Sequence, residues 1–121
     1  MRNIPATVKL IQDNLQQGDL KPRYRGNSNP MAGHCFVATE VFIYLMGGKD
    51  AGWKSMNVRH ENDSHWYAQH SDGTVVDITA SQFSTPVPYD KGIGKGMMQR
   101  VAGIPSKRSK KVLERLGVTV K

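Results

Sequence analysis

Gly33-His34-Cys35-Phe36-Val37-Ala38-Thr39-Glu40-Val41-Phe42-Ile43-Tyr44-Leu45-Met46-Gly47-Gly48 decides how this chain folds. Apolar side chains fall nearly all round a helical wheel over residues 34–46, which predicts a helix covered on most sides by the rest of the domain. Gly47 and Gly48 end it, because glycine enters a left-handed cap without strain. The chain's single cysteine, Cys35, stands at the first turn of that helix. There the positive end of the helix dipole favours a thiolate. The same stretch is therefore a candidate fold centre and a candidate reaction centre. The plain alternative is that Cys35 is a small core residue, since free cysteine is among the most buried types.

Outward from this helix, Ile4, Val8, Ile11 and Leu15 recur at helical spacing, with Pro5 in the first turn and Gly18 as a stop. They predict a helix over residues 5–17. Residues 18–33 lose all periodicity and read as a loop. On the other side, Trp53 to His60 reads as a strand, followed by a polar loop over 61–64. His65–His70 and Thr74–Thr79 then form a hairpin through Ser71-Asp72-Gly73. Residues 80–105 read as irregular. A last helix is expected over 107–116, with Ser106 as N-cap, Val112, Leu113 and Leu116 as its buried edge, and Gly117 as its stop. No repeat or linker interrupts the pattern. The expectation is one α+β domain over residues 1–121, a central buried helix packed on a short antiparallel sheet.

The totals narrow the function classes. At 121 residues the chain is long enough to bury a core. One cysteine excludes an internal disulfide framework and points to a reducing, cytoplasmic setting. Lys9, Gln12 and Asp13 interrupt any signal-peptide core. The longest apolar stretch, from Cys35 to Met46, is too short to cross a bilayer, so no membrane partner is expected. The net charge of +7 is uneven. Residues 1–90 hold 8 Lys and Arg against 9 Asp and Glu, whereas residues 91–121 hold 9 against Glu114 alone. That end of the chain favours an anionic partner; its other reading is a solvated basic helix face.

Covalent cysteine chemistry needs a thiolate, a base beside it and a group that orients the base. Cys35, His65 and Asp77 are the candidates. A three-residue Ser71-Asp72-Gly73 loop with Gly73 left-handed pairs residue 70 with 74. His65 and Asp77 then become diagonal neighbours on one sheet face, roughly 7 Å apart by backbone. A two-residue turn would put them on opposite faces. The attack also needs oxyanion donors. The Cys35 amide is one, and Asn29 or Asn27 is a candidate for the other. Asp77 has a bland reading too, as a turn residue bonding nearby backbone. His60, His65 and His70 recur every five residues but fit no strong zinc spacing, so neither metal nor cofactor is expected. Gly92-Ile93-Gly94-Lys95-Gly96 lacks the phosphate-loop pattern, yet glycine amides with Lys95 can cradle a phosphate.

The order of a helix-borne Cys, a strand-borne His and then an Asp resembles the papain-like and transglutaminase-like cysteine enzymes. That resemblance implies Cys35 as nucleophile, His65 as base and Asp77 as orienting residue. Asn29 stands six residues before Cys35, where papain-like enzymes carry a Gln. A further resemblance is to small bacterial and phage proteins called YunG-like. It rests on GHCFVATEVFIYLMGG (33–48), HW (65–66), DGTVVDITASQF (72–83) and PSKRSKKVLERL (105–116).

The leading expectation is a cysteine hydrolase or acyl-transfer enzyme acting on an amide, isopeptide or thioester. The alternative is a phage-type protein that captures or cleaves a nucleotide immune signal. In that case His60, His65, Lys95 and Arg100 contact phosphates, oligomers are expected, and Trp66 is expected in the ligand pocket's wall. A third class is an interaction module on an inactive enzyme fold.

Overall fold

The computed structural model describes residues 3–15, 34–61, 63–80, 83, 85–94 and 107–118. Among them, α2 (Cys35–Leu45) packs on a four-stranded antiparallel sheet, and α1 (Ile4–Asn14) and α3 (Lys107–Arg115) pack against α2. Its strands are β1 (Trp53–His60), β2 (Asp63–His70), β3 (Val75–Val76) and β4 (Ile93–Gly94), in the spatial order β3-β2-β1-β4.

The helix α2 is the centre of the core. Val37, Ala38, Val41 and Phe42 are fully buried, against Ile11 of α1, Ala68 of β2, and Val112 and Leu113 of α3. Phe42 meets Trp53 of β1 edge to face at 5.0 Å. Met46 caps the helix, and Gly47 and Gly48 follow with φ of +100° and +71°. The Gly48 amide returns to the Ile43 carbonyl at 2.8 Å, which satisfies one of the last orphan acceptors.

The helix α1 starts on Asn3, whose side chain accepts from the Ala6 amide at 3.0 Å. It stops at Asn14, three residues before the expected end. Asn14 turns its side-chain amide back onto the Leu10 carbonyl at 2.8 Å, and its own carbonyl accepts from the Arg115 guanidinium. A cation supplied by α3 thus closes α1, a long-range event with no local signature.

The β1–β2 hairpin is tighter than its polar sequence indicates. Pairing runs from Trp53↔His70 to His60↔Asp63, so Asp63 and Ser64 of the expected loop over 61–64 belong to β2. Asn57 donates to the Ser64 hydroxyl at 2.9 Å, and Ser64 belongs to the strand. Glu61 takes the left-handed backbone, φ +47°, that so short a turn demands. Across the next turn, Ala68 faces Val76 and Gln69 faces Val75. The His70 amide bonds the Thr74 carbonyl at 2.8 Å, and Gly73 has φ +96°. This is the register of the three-residue turn.

The strand β3 is shorter than the predicted 74–79. Past Val76 the chain leaves the ladder, and the Ile78 carbonyl accepts from the Gln12 side chain of α1 at 2.9 Å. The described part of the region read as irregular includes a 3-10 turn, Tyr89–Lys91, and then β4, which pairs Ile93 with Asn57 and Gly94 with Met56. Ile93 is 64% exposed, so β4 is made by its ladder and leaves no burial pattern to read. Ser106, the expected cap of α3, lies outside the described residues.

Candidate active site

Alternation along β2 sorts its side chains onto two faces. Trp66 and Ala68 face α2, with Trp66 edge-on to Phe36 at 5.2 Å. His65 and Tyr67 face the other way. There Met56, Val58 and Tyr67 form a second cluster with Val87 and Tyr89. His65 is wholly buried on that face. Its ring stands edge-on to Phe83 at 4.7 Å and lies stacked with Tyr67 at 6.4 Å.

Asp77 follows β3 directly and is diagonal to His65 across the hairpin, as the turn register requires. Its Oδ2 accepts from His65 Nε2 at 2.7 Å. The same oxygen accepts from the Tyr89 hydroxyl at 2.8 Å. The Asp77 side chain is buried as well, and its Oδ1 has no hydrogen-bond partner among the described residues.

Cys35 is the first residue of α2, half-buried, with its sulfur 3.9 Å from the Ser64 carbonyl. The β3 ladder pairs only positions 68 and 69 of β2, so the strand's edge at Ser64 is not covered by it. The thiol meets β2 there, beside the His65 ring, whose proton affinity it raises. With Nε2 on Asp77, Nδ1 is the nitrogen left to exchange a proton with sulfur. No acidic residue occupies the first turn of α2, and His34 makes no side-chain capping bond. The positive helix end therefore acts on the thiol without a compensating carboxylate.

Burial alone would push the His65 imidazolium towards neutrality. The hydrogen bond to Asp77, then that to Cys35, and the negative charge of both outweigh it and raise the ring to about 9. The ring is thus a cation at neutral pH, the state that stabilises an adjacent thiolate. Burial first, and the Asp77 carboxylate second, push the Tyr89 phenol well above its ordinary range. Tyr89 stays neutral and donates.

The model of the YunG protein family matches residues 15–120. The chain belongs to that family. No curated protein and no solved structure matches it.

In this YunG chain the remaining candidates are dispersed. His60 shares a face with His65, and Phe83 stands edge-on to both rings. The His60 Nε2 is 3.0 Å from the Thr85 hydroxyl and 3.2 Å from the Thr85 carbonyl, so it is engaged in holding that segment. Trp66 lies on the opposite face, beside Phe36, over which the Arg108 guanidinium sits at 5.8 Å. Asn29, Asn27, Lys95 and Arg100 lie outside the described residues. His34 is 1% exposed, because its backbone already belongs to the buried end of α2. Among the described residues, no three His, Cys, Asp or Glu side chains gather as a metal site, and no helix is long and apolar enough to cross a membrane.

Sequence reasoning missed Phe83, Thr85 and Tyr89. One signal was available for Tyr89. It is an aromatic in a proline-punctuated polar stretch, and a buried tyrosine hydroxyl needs a partner.

Proposed function

We propose that this chain is a cytoplasmic cysteine hydrolase or acyl-transfer enzyme of papain-like architecture, with Cys35 as nucleophile, His65 as acid and base, and Asp77 as the residue that orients the imidazole. One observation carries the reading. A buried imidazole bonds a carboxylate at 2.7 Å through one nitrogen, and the thiol at the N-terminus of α2 lies 3.9 Å from the carbonyl of the residue just before it in β2.

The chemistry follows from those positions. The Cys35 thiolate adds to the carbonyl carbon of an amide, isopeptide or thioester. The Cys35 backbone amide, and Asn29 if it reaches the site, stabilise the oxyanion. The carbon–nitrogen or carbon–sulfur bond breaks as His65 gives its proton to the leaving group, and the acyl group stays on sulfur. Water, or an acceptor nucleophile, then gives a proton to His65 and attacks the thioester. The acid leaves, or the acyl group moves on, and the thiolate–imidazolium pair returns. Asp77 remains charged and holds the ring.

Iodoacetamide tests this before any substrate is known. Cys35 is expected to alkylate at pH 6–7 faster than a free thiol, whose titration lies at about 8.5. His65→Ala should slow it. Turnover of any substrate found should vanish in Cys35→Ala with little change in melting temperature. A thiol that alkylates like free cysteine in the native protein ends the proposal. The nucleotide reading rests on Lys95 and Arg100, which lie outside the described residues. It would be taken up if cyclic dinucleotides or ADP-ribose derivatives raised the melting temperature in a salt-sensitive way that survived Cys35→Ala.

A further inference from the structure

The cysteine reading uses three side chains, yet the Asp77 carboxylate has two donors on one oxygen. The second is Tyr89. Its hydroxyl reaches Asp77 Oδ2 at 2.8 Å, beside the 2.7 Å bond from His65. The other oxygen of this buried carboxylate has no hydrogen-bond partner among the described residues. Orientation and charge stabilisation are therefore concentrated on Oδ2.

The chain fixes Tyr89 from several sides. Tyr67 donates its hydroxyl to the Tyr89 carbonyl at 3.0 Å, and the two rings meet at 5.0 Å. The Gly92 amide bonds the same carbonyl at 3.1 Å. Gly92 lies so close to Tyr67 that a Cβ there would stand 1.7 Å from the phenol oxygen. Two residues later Gly94 is laddered to Met56 of β1. A surface loop does not need so many constraints on one phenol.

We propose that Tyr89 is a positioning residue for the cysteine site. Its hydroxyl holds the Asp77 carboxylate charged and aimed at His65 Nε2, which in turn keeps the imidazolium directed at the Cys35 sulfur. This role rests on the cysteine reading. A carboxylate bonded by His65 alone is free to rotate about its last torsion. It also loses one of the two donors that offset its desolvation. The imidazolium then has a weaker counter-charge, and the thiolate a weaker partner.

The test is the rate of Cys35 alkylation by iodoacetamide against pH, in wild type and Tyr89→Phe, with melting temperature recorded for both. Wild type is expected to show an acidic limb below neutrality. Tyr89→Phe should move that limb up by about half to one pH unit and slow alkylation at its foot by about 3- to 10-fold. Superposed profiles overturn the proposal, even if Tyr89→Phe melts earlier, because a merely structural tyrosine changes stability and not the limb. If Tyr89→Phe does not fold, the 13Cζ resonance of Tyr89 is titrated in wild type. The same resonance is titrated in Asp77→Asn: a phenol that ionises at lower pH there than in wild type supports the bond to Asp77, and an unmoved titration overturns it. A wild-type thiol with no acidic limb overturns the cysteine reading and this role together. Superposed profiles with a normal limb remove Tyr89 alone.

Discussion

On the α2 side of the sheet the chain meets itself through carbon. Val37, Ala38, Val41 and Phe42 are wholly buried against Trp53, Ala68, Val112 and Leu113. On the opposite side, Phe83 and residues 85–94 meet the sheet through a mixture of rings and hydrogen bonds. Glu61 accepts from the Thr85 amide at 2.9 Å, Tyr67 donates to the Tyr89 backbone, and Tyr89 donates to Asp77. The first side resembles a domain core, where stability scales with apolar area. The second encloses the His65 imidazolium and the carboxylate bonded to it. A purely apolar cover would drive both groups neutral. Aromatic edges and phenol donors instead exclude water while they solvate the charge. Division of labour follows: the helix side should set stability, and the far side should set the protonation state beside Cys35.

The hardest blow to the helix side is Phe42→Ala. Phe42 has no exposed surface and packs edge to face on Trp53. Truncating a buried phenylalanine costs about 3–5 kcal/mol, a large part of a small domain's stability. Urea unfolding should show that loss as a lower midpoint. Molecules still folded should keep the wild-type pH profile of Cys35 alkylation. A profile that moves with Phe42→Ala would mean that the two sides are not separable.

The next effect belongs to the far side and depends on pH. His65 titrates at about 9 in the folded protein and near its ordinary 6.5 when unfolded. The folded chain holds this proton more tightly. Its contribution is thus complete below pH 6.5 and is lost as pH rises through 9, for a change of up to a few kcal/mol. Stability measured from pH 6 to 9.5 should fall in wild type and fall less in Asp77→Asn, which lacks the counter-charge. Parallel curves would show that Asp77 does not hold the imidazolium.

Much of this contrast could be read from residues, and the part that could not has a common cause. The α2 helix follows from an apolar run closed by Gly47-Gly48. The β1 strand runs over the residues expected of it, and the His65–Asp77 diagonal follows from the Ser71-Asp72-Gly73 turn. Each is a local rule acting on neighbouring residues. The cover over His65 obeys no such rule. Phe83, Thr85 and Tyr89 reach residues 12 to 25 positions away, through hydrogen bonds and ring edges that leave no period. The end of α1 was misjudged for the same reason, since Arg115 supplies its last partner from the far end of the chain. Ser64 was misread because polarity on an exposed strand position looks like a loop.

The smallest effect sharpens the comparison most finely. Tyr67→Phe removes one hydroxyl from a wholly buried ring and leaves the carbon packing in place. Its acceptor, the Tyr89 carbonyl, keeps the Gly92 amide, so no buried acceptor is stranded. The loss should sit near about 0.5–1 kcal/mol, the net worth of one neutral hydrogen bond. Tyr89 keeps its own hydroxyl and its bond to Asp77, so the acidic limb of Cys35 alkylation should move less than in Tyr89→Phe. A stability loss as large as that of Phe42→Ala would mean that the far side carries the fold as well as the site. An equal shift of the limb in Tyr67→Phe and Tyr89→Phe would place the control of Asp77 in the pair of phenols, with neither tyrosine sufficient by itself.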